Sequence, residues 1–202
     1  MTENRNQGSA RAALGQNLLA TLEAEDPALE GQVLASLSAE TRKDYDTKAT
    51  LRWVEMRSHM ELSDAIRDAS GAKNNAAFWQ KSFADVLGRK LFQGFVEGVV
   101  RMSGSTPESF VRYSPLVLRQ LFRDVVEMEI LPGRDDYFAI ASFSDFPAKL
   151  FTLDCFVEGT QGAYRSLSAL TGVELVVDVV EPLVGLLEGL VVGHFDLEAV
   201  WE

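Results

Sequence analysis

The chain has 202 residues, is 47% hydrophobic and 24% charged, and carries a formal charge of −11 with a single cysteine. These values exclude a disordered tail, a collagen-like repeat and a disulfide scaffold; the length suits one domain burying roughly 70% of its unfolded surface. The last 68 residues hold twelve acids against Lys149 and Arg165, a balance that repels nucleic-acid phosphates and anionic membranes and favours a basic protein partner.

Residues 1–8 are polar and are expected to be disordered. Residues 10–23 place Ala13, Leu14, Leu18, Leu19 and Leu22 on one helical stripe. Asp26-Pro27 combines a capping side chain with a proline at the first helical position, so a second helix starts there, with Leu29, Val33, Leu34 and Leu37 as its face. Residues 38–48 read as a polar linker. Ser58 is the expected cap of a helix carrying Leu62, Ala65, Ile66 and Ala69, closed by Gly71. Asn74 or Asn75 caps the next helix, which runs to Gly88. Leu91 to Met102 is apolar nearly all round and is expected to be buried, with Gly104 as its stop. Thr106-Pro107-Glu108 opens another helix, and Ser114-Pro115 restarts the chain.

At Glu127 the hydrophobic period changes from that of a helix to that of a strand. Glu127–Leu131 alternates, Pro132-Gly133-Arg134-Asp135 is a turn, and Tyr137–Phe143 is the returning strand of a hairpin. Residues 148–171 predict a long helix ending at Gly172. Val173–Val180 alternates as a strand, 182–192 is apolar and ambiguous, and His194–Trp201 alternates again. The expected fold is α+β: an N-terminal helical part over 9–125, then a strand–strand–helix–strand–strand antiparallel sheet unit over 126–202, in a single domain.

Motifs for common chemistries are missing. No phosphate loop, dinucleotide fingerprint or nucleophile elbow is present. His59 and His194 lie too far apart for a spaced zinc set; His59 is expected as a helix-start cap or surface residue. Cys155 sits between Leu153 and Phe156 on an apolar helix, which predicts a buried, inert thiol. Asp135-Asp136 and the Glu127/Glu129 pair suit a turn and a solvated sheet face. Arg112, Arg119 and Arg123 fall on related turns around Tyr113 and form a candidate anion site. Gly94-Phe-Val-Glu-Gly98 and Gly159-x-x-Gly162 place glycines inside helices, where each costs about 1 kcal/mol relative to alanine; close packing, a dimer seam or a narrow ligand channel would offset that.

Trp53-Val-Glu-Met56, Leu87-Gly88-Arg89, Phe92-x-Gly94-Phe95, Ser114-Pro115-x-x-Leu118, Phe122-Arg123 and the closing Val200-Trp201 resemble an uncharacterised family of about 200 residues expanded in myxobacteria. The closing half also resembles the superfamily of 4-vinyl-reductase-type ligand-binding domains, which includes Bet3-like trafficking subunits and haem nitric-oxide-binding sensors. That resemblance implies sensing, small-molecule binding or scaffolding. Haem sensors of the group carry a Tyr-x-Ser-x-Arg motif with a proximal histidine upstream. Tyr113-Ser114-Pro115 departs from it, so no cofactor is expected. Bet3-like subunits hold an acyl chain on a cysteine in an apolar channel; Cys155 lies on an apolar helix.

Together these readings lead to a non-enzymatic, cytoplasmic regulatory or adapter protein. It would act through protein–protein contacts, as a homodimer, with Glu174, Asp178, Glu198 and Trp201 as the candidate interface and Trp53 and Phe146 as further aromatic anchors. The alternative is a small-molecule or lipid-binding sensor whose pocket lies between helices and sheet, near Gly94, Gly98, Cys155 and Gly159. No catalytic residue, metal, nucleic-acid partner or membrane span is expected.

Overall fold

A computed structural model describes residues 8–46, 49–88, 90–132, 138–147, 153–187 and 190–201. The expected disorder at 1–7, the hairpin turn at 133–135 and the expected helix start at 148–152 lie outside them. Ser9–Arg11 is a short strand, β1, where a helix is predicted; it hands over directly to α1 (Ala12–Glu25). Asp26 caps α2 (Pro27–Ser36) as expected, accepting from the backbone N–H of Ala28 and Leu29, each at 3.0 Å.

The linker expected at 38–48 is instead a helix, α3 (Ala39–Tyr45). Ser38 caps it, and its Thr41 and Tyr45, four residues apart, are both buried. Tyr45 lies against Gly15 of α1, where a Cβ would collide with its ring. After β2 (Trp53–Glu55), α4 (Met56–Ser70) starts three residues earlier than predicted. Ser58 is therefore not its cap: its hydroxyl reaches out of the first turn and donates to Asp44 Oδ2 at 2.7 Å.

Gly71, at φ +81°, turns the chain into α5 (Ala72–Leu87) ahead of both predicted caps. Asn74 donates back to the Ser70 carbonyl, and Asn75 is buried and donates to Glu158. The next helix, α6 (Lys90–Ser103), is less buried than predicted. It buries Phe92 and Val99 but exposes Val100 and Met102.

The helix α7 (Pro107–Leu121) runs straight through Pro115, against the expected restart. Proline removes the N–H that would bond the carbonyl of Val111. The Ser114 hydroxyl takes its place, donating to Val111 O at 2.6 Å. The residues after it, β3 (Phe122–Arg123), pair with β1, so a three-stranded antiparallel sheet β2-β1-β3 forms.

The C-terminal unit has the predicted order. β4 (Glu127–Pro132) and β5 (Phe138–Pro147) form the hairpin, and α8 (Leu153–Arg165) follows. The long helix breaks at Ser166–Leu167, where the Leu167 N–H bonds the Tyr164 carbonyl three residues back at 3.0 Å, and resumes as α9 (Ser168–Thr171). The ambiguous apolar stretch is extended in both β6 (Leu175–Leu187) and β7 (Leu190–Trp201). The four-stranded antiparallel sheet has the order β4-β5-β7-β6, with register shifts at Phe143/Phe146 and Val180/Leu183. One core joins both halves. Leu14, Leu18, Met60, Ile66, Trp79 and Tyr164 from the helices meet Val177, Leu197, Ala199 and Trp201 from the sheet. No helix among the described residues is long and apolar enough to cross a membrane.

Candidate functional site

A cavity of about 110 Å³ lies where α4, α5, α6, α7 and α8 converge on β3 and β4. Its wall is aromatic and aliphatic, built by Trp79, Phe83, Phe95, Phe110, Phe122 and Phe156 with Leu118 and Met128. Glycines on α8 allow that helix to close over α5. A Cβ on Gly162 would stand 2.5 Å from Ala76 O and 2.6 Å from Trp79 Cβ; one on Gly159 would stand 3.1 Å from the Trp79 ring. Opposite them, Arg67 of α4 grips Glu158 of α8 with two bonds of 2.9 and 3.0 Å, and Asn75 of α5 donates to the same carboxylate at 2.8 Å. This clamp fixes three helices around the void.

The polar groups in the wall are few and neutral. His59 is 3% exposed, contrary to the expected cap or surface place. Its spacing to Leu62 and Ile66, three and seven residues on, puts it on the buried face of α4. Burial alone lowers its pKa to about 4, so the imidazole is uncharged at neutral pH. It stands edge-on to Trp79 and Phe122, with ring centroids 6.2 and 5.8 Å away. His59 Nδ1 and Trp79 Nε1 are buried and have no hydrogen-bond partner among the described residues. Tyr164 and Ser114 share a hydroxyl–hydroxyl bond of 2.6 Å, and burial pushes the Tyr164 phenol up. Cys155 is 1% exposed, and burial, with Asp64 and Glu158 nearby, pushes its thiol up to about 12. A protonated thiol of this kind is a weak nucleophile and a weak metal ligand.

Of the candidate pocket residues, Cys155 and Gly159 lie in this wall. Gly94 and Gly98 do not; a Cβ on either would meet nothing within 4 Å. The helix carrying them contributes Phe95 instead. Among the interface candidates, Asp178 of β6 and Glu198 of β7 are direct register partners, as are Val176 and Val200. Val176 is 52% and Val200 39% exposed, so this face of the sheet presents apolar and acidic groups together, and Glu174 is exposed beside it. Trp201, by contrast, is 6% exposed and belongs to the core. The side chains of Phe146 and His194 lie outside the described residues. Among the described residues, no group of three histidine, cysteine or acidic side chains could hold a metal ion.

No family model matches the chain. A segment of 93 residues is 32% identical to uroporphyrinogen-III C-methyltransferase from Cyanidium caldarium, covering 46% of this chain and 36% of that protein. The match thus spans about a third of that enzyme's length. Among solved structures, the chain is similar to an iron(II) unliganded H-NOX protein variant from K. algicida, with a TM-score of 0.64 at 5% identity over 95% of this chain and 96% of that one. It is also similar to an H-NOX structure that probes heme distortion, with a TM-score of 0.62 at 14% identity over 95% of each chain. A T. tengcongensis H-NOX variant matches with a TM-score of 0.59 at 14% identity, over 94% and 95%. At these identities the likeness establishes a shared fold.

Proposed function

We propose that this chain is a ligand-binding sensor domain that takes a compact, mainly apolar molecule bearing one hydrogen-bonding group. The observation that carries the reading is the cavity wall itself. It is aromatic and closed in by five helices, and it holds two buried polar atoms, His59 Nδ1 and Trp79 Nε1, without partners. An unsatisfied buried polar atom costs about 1–3 kcal/mol, and a carbonyl or hydroxyl on a bound molecule would offset part of that. An engineered apolar cavity of about 150 Å³ takes benzene, and this cavity is of the same order. The domain would bind such a molecule rather than transform it, since burial leaves the wall's histidine a weak base and its thiol a weak nucleophile.

Two of the similar H-NOX structures concern haem and its distortion by the protein. The wall here does not fit that group. Haem iron takes an axial imidazole or thiolate, among other ligands. Here the imidazole is wedged between Trp79 and Phe122, and the thiol is protonated. The macrocycle's carboxylates would need cationic partners, and the wall contains no arginine or lysine. The volume, too, is that of one small ring rather than of a tetrapyrrole. Protein contact through the acidic sheet face has weaker support, because Trp201, its proposed aromatic anchor, is buried.

The reading is tested by titrating the protein with benzene, indole and acetophenone while following the melting temperature. Stabilisation by at least one probe, abolished by the cavity-filling change Ala163→Leu, is the expected result. A melting temperature indifferent to all three would sink the proposal.

A further inference from the structure

We propose a second site, separate from the cavity, at which Arg11, Arg119 and Arg123 bind a small phosphate dianion beside Trp53. These residues line a surface concavity of about 410 Å³ between the three-stranded sheet and the end of α7. The register places the sheet residues together. Arg11 lies opposite Trp53 on β2, and Ser9, two residues before Arg11, lies opposite Arg123 on β3. Arg11, Trp53 and Arg123 therefore share one face of the sheet. The central guanidinium carbon of Arg11 stands 3.8 Å from the Trp53 ring centroid, and that of Arg123 stands 4.4 Å from it. Arg119 joins from α7, and Asp124 contributes the one carboxylate in the lining.

The charges in this concavity are held but not neutralised. In a chain of net charge −11, five cations among the described residues find acids: Arg52 pairs with Asp44, Arg57 with Glu40, Arg67 with Glu158, Lys81 with Glu25 and Arg112 with Glu108, while Arg42, Lys43, Arg101 and Arg165 stand singly elsewhere. Arg11, Arg119 and Arg123 make no such pair among the described residues, although Asp124 is close by. Arg11 instead donates Nε–H to Gln120 O at 3.2 Å and Nη1 to Leu51 O. Carbonyls and an indole ring orient guanidinium groups without cancelling their charge. Gathering three like charges costs free energy through repulsion. An oxyanion that accepts several charge-assisted bonds would offset it.

The class of anion follows from the balance. Three guanidiniums against one carboxylate leave a surplus that a phosphate dianion matches and a monocarboxylate does not. A polymer of phosphates is disfavoured, because the acidic C-terminal part would repel it. The ligand is thus a free phosphate or a small phosphate monoester. The two sources differ in whether a substituent is present beyond the phosphate.

Calorimetric titration of the full chain at pH 7.5 and constant ionic strength tests this, with inorganic phosphate, glycerol phosphate, acetate and chloride as probes. Saturable binding of phosphate is expected, with acetate and chloride at least tenfold weaker. Tighter glycerol phosphate than phosphate would identify a monoester, and the reverse order the free ion. Arg119→Ala combined with Arg123→Ala should weaken phosphate at least tenfold, while Asp124→Asn should tighten it. All three side chains are exposed, and the melting temperature in chloride checks that each variant folds. Absence of saturable phosphate binding, binding unchanged in the double alanine variant, or acetate as tight as phosphate would each overturn the assignment. The opposite-sign response to Asp124→Asn keeps the test decisive even if the double variant folds poorly.

Discussion

The cavity and the arginine concavity lie back to back, and Leu118 and Phe122 line both. On the inner side, burial removes charge. His59 is held neutral, the thiol of Cys155 keeps its proton, and the walls are rings and methyl groups. On the outer side three guanidinium groups share one depression: Arg11 bonds two backbone carbonyls, Arg11 and Arg123 lie over the Trp53 ring, and Arg119 and Arg123 are exposed to solvent. The same short segment, the end of α7 with β3, therefore gives two chemically opposed surfaces. The contrast has two sources: burial keeps His59 and Cys155 uncharged on the inner side, and the inner wall has no arginine or lysine while three arginines line the outer concavity.

The largest effect should come from closing the inner surface. Gly162→Leu puts a side chain where the Cβ alone would stand 2.5 Å from Ala76 O and 2.8 Å from Gln80 N. Backbone atoms cannot yield as a flexible side chain can, so α5 and α8 must separate. A loss of about 3 kcal/mol or more is expected by urea denaturation. Gly159→Ala meets the Trp79 ring at 3.1 Å, a contact offset by the roughly 1 kcal/mol that alanine gains over glycine in a helix, so its net effect should stay within about 1 kcal/mol. If the two changes proved equally harmless, the tight α5–α8 closure would be wrong, and the cavity with it.

Next in size is the proton sensitivity of the inner surface. The folded pKa of His59 is lowered to about 4 against 6.5 for the free side chain. The unfolded chain therefore binds the proton more readily than the folded one between these values. Stability is full above pH 6.5 and falls as the pH drops toward 4. Linkage gives a loss of about 2 kcal/mol between pH 7 and pH 5 from this residue. The difference in stability between these two pH values should shrink by that amount in His59→Phe. An unchanged pH dependence in the variant would mean that His59 is not held neutral by burial.

How much of this arrangement could be read from the chain depended on periodicity. The strand–strand–helix–strand–strand order was legible because alternation begins at Glu127 and runs over whole strands. β1 and β3 have three and two residues, too few for any period, so the sheet that seats the arginines was invisible. α3 was hidden because only Thr41 and Tyr45 of its seven residues are buried. Pro115 suggested a break, but α7 continues through it, and the Ser114 hydroxyl replaces the lost donor at Val111 O. Cys155 and Gly159 could be singled out from their apolar helix. The rest of the cavity wall comes from segments joined only by tertiary packing. Likewise, Arg119 and Arg123 were suggested by their spacing, with Arg112 as a third member. In the structure Arg112 turns away to Glu108, and Arg11 takes its place from more than a hundred residues upstream.

The smallest expected effect bears on the outer surface. Arg11 gives two hydrogen bonds to carbonyls and lies against Trp53, and none of these partners carries a charge. A cation over an indole at a solvated site contributes about 0.5–1 kcal/mol, and each neutral-acceptor bond adds a comparable net amount. Arg11→Met keeps much of the stem and relieves the repulsion on Arg123, which offsets part of the lost donors and charge, so a net destabilisation of about 1 kcal/mol is expected. Had Arg11 been held by a carboxylate, that loss would shrink as salt screens the pair. Here it should stay constant between low and high ionic strength, because carbonyls and the ring supply the hold. Removing the charge also relieves repulsion on Arg123, which lies at the same ring, and that relief is itself larger at low salt. The loss should therefore be level, or grow slightly, as salt is added. A loss that fades with salt would show that the arginine is neutralised by an acid, and the contrast between the two surfaces would then fail.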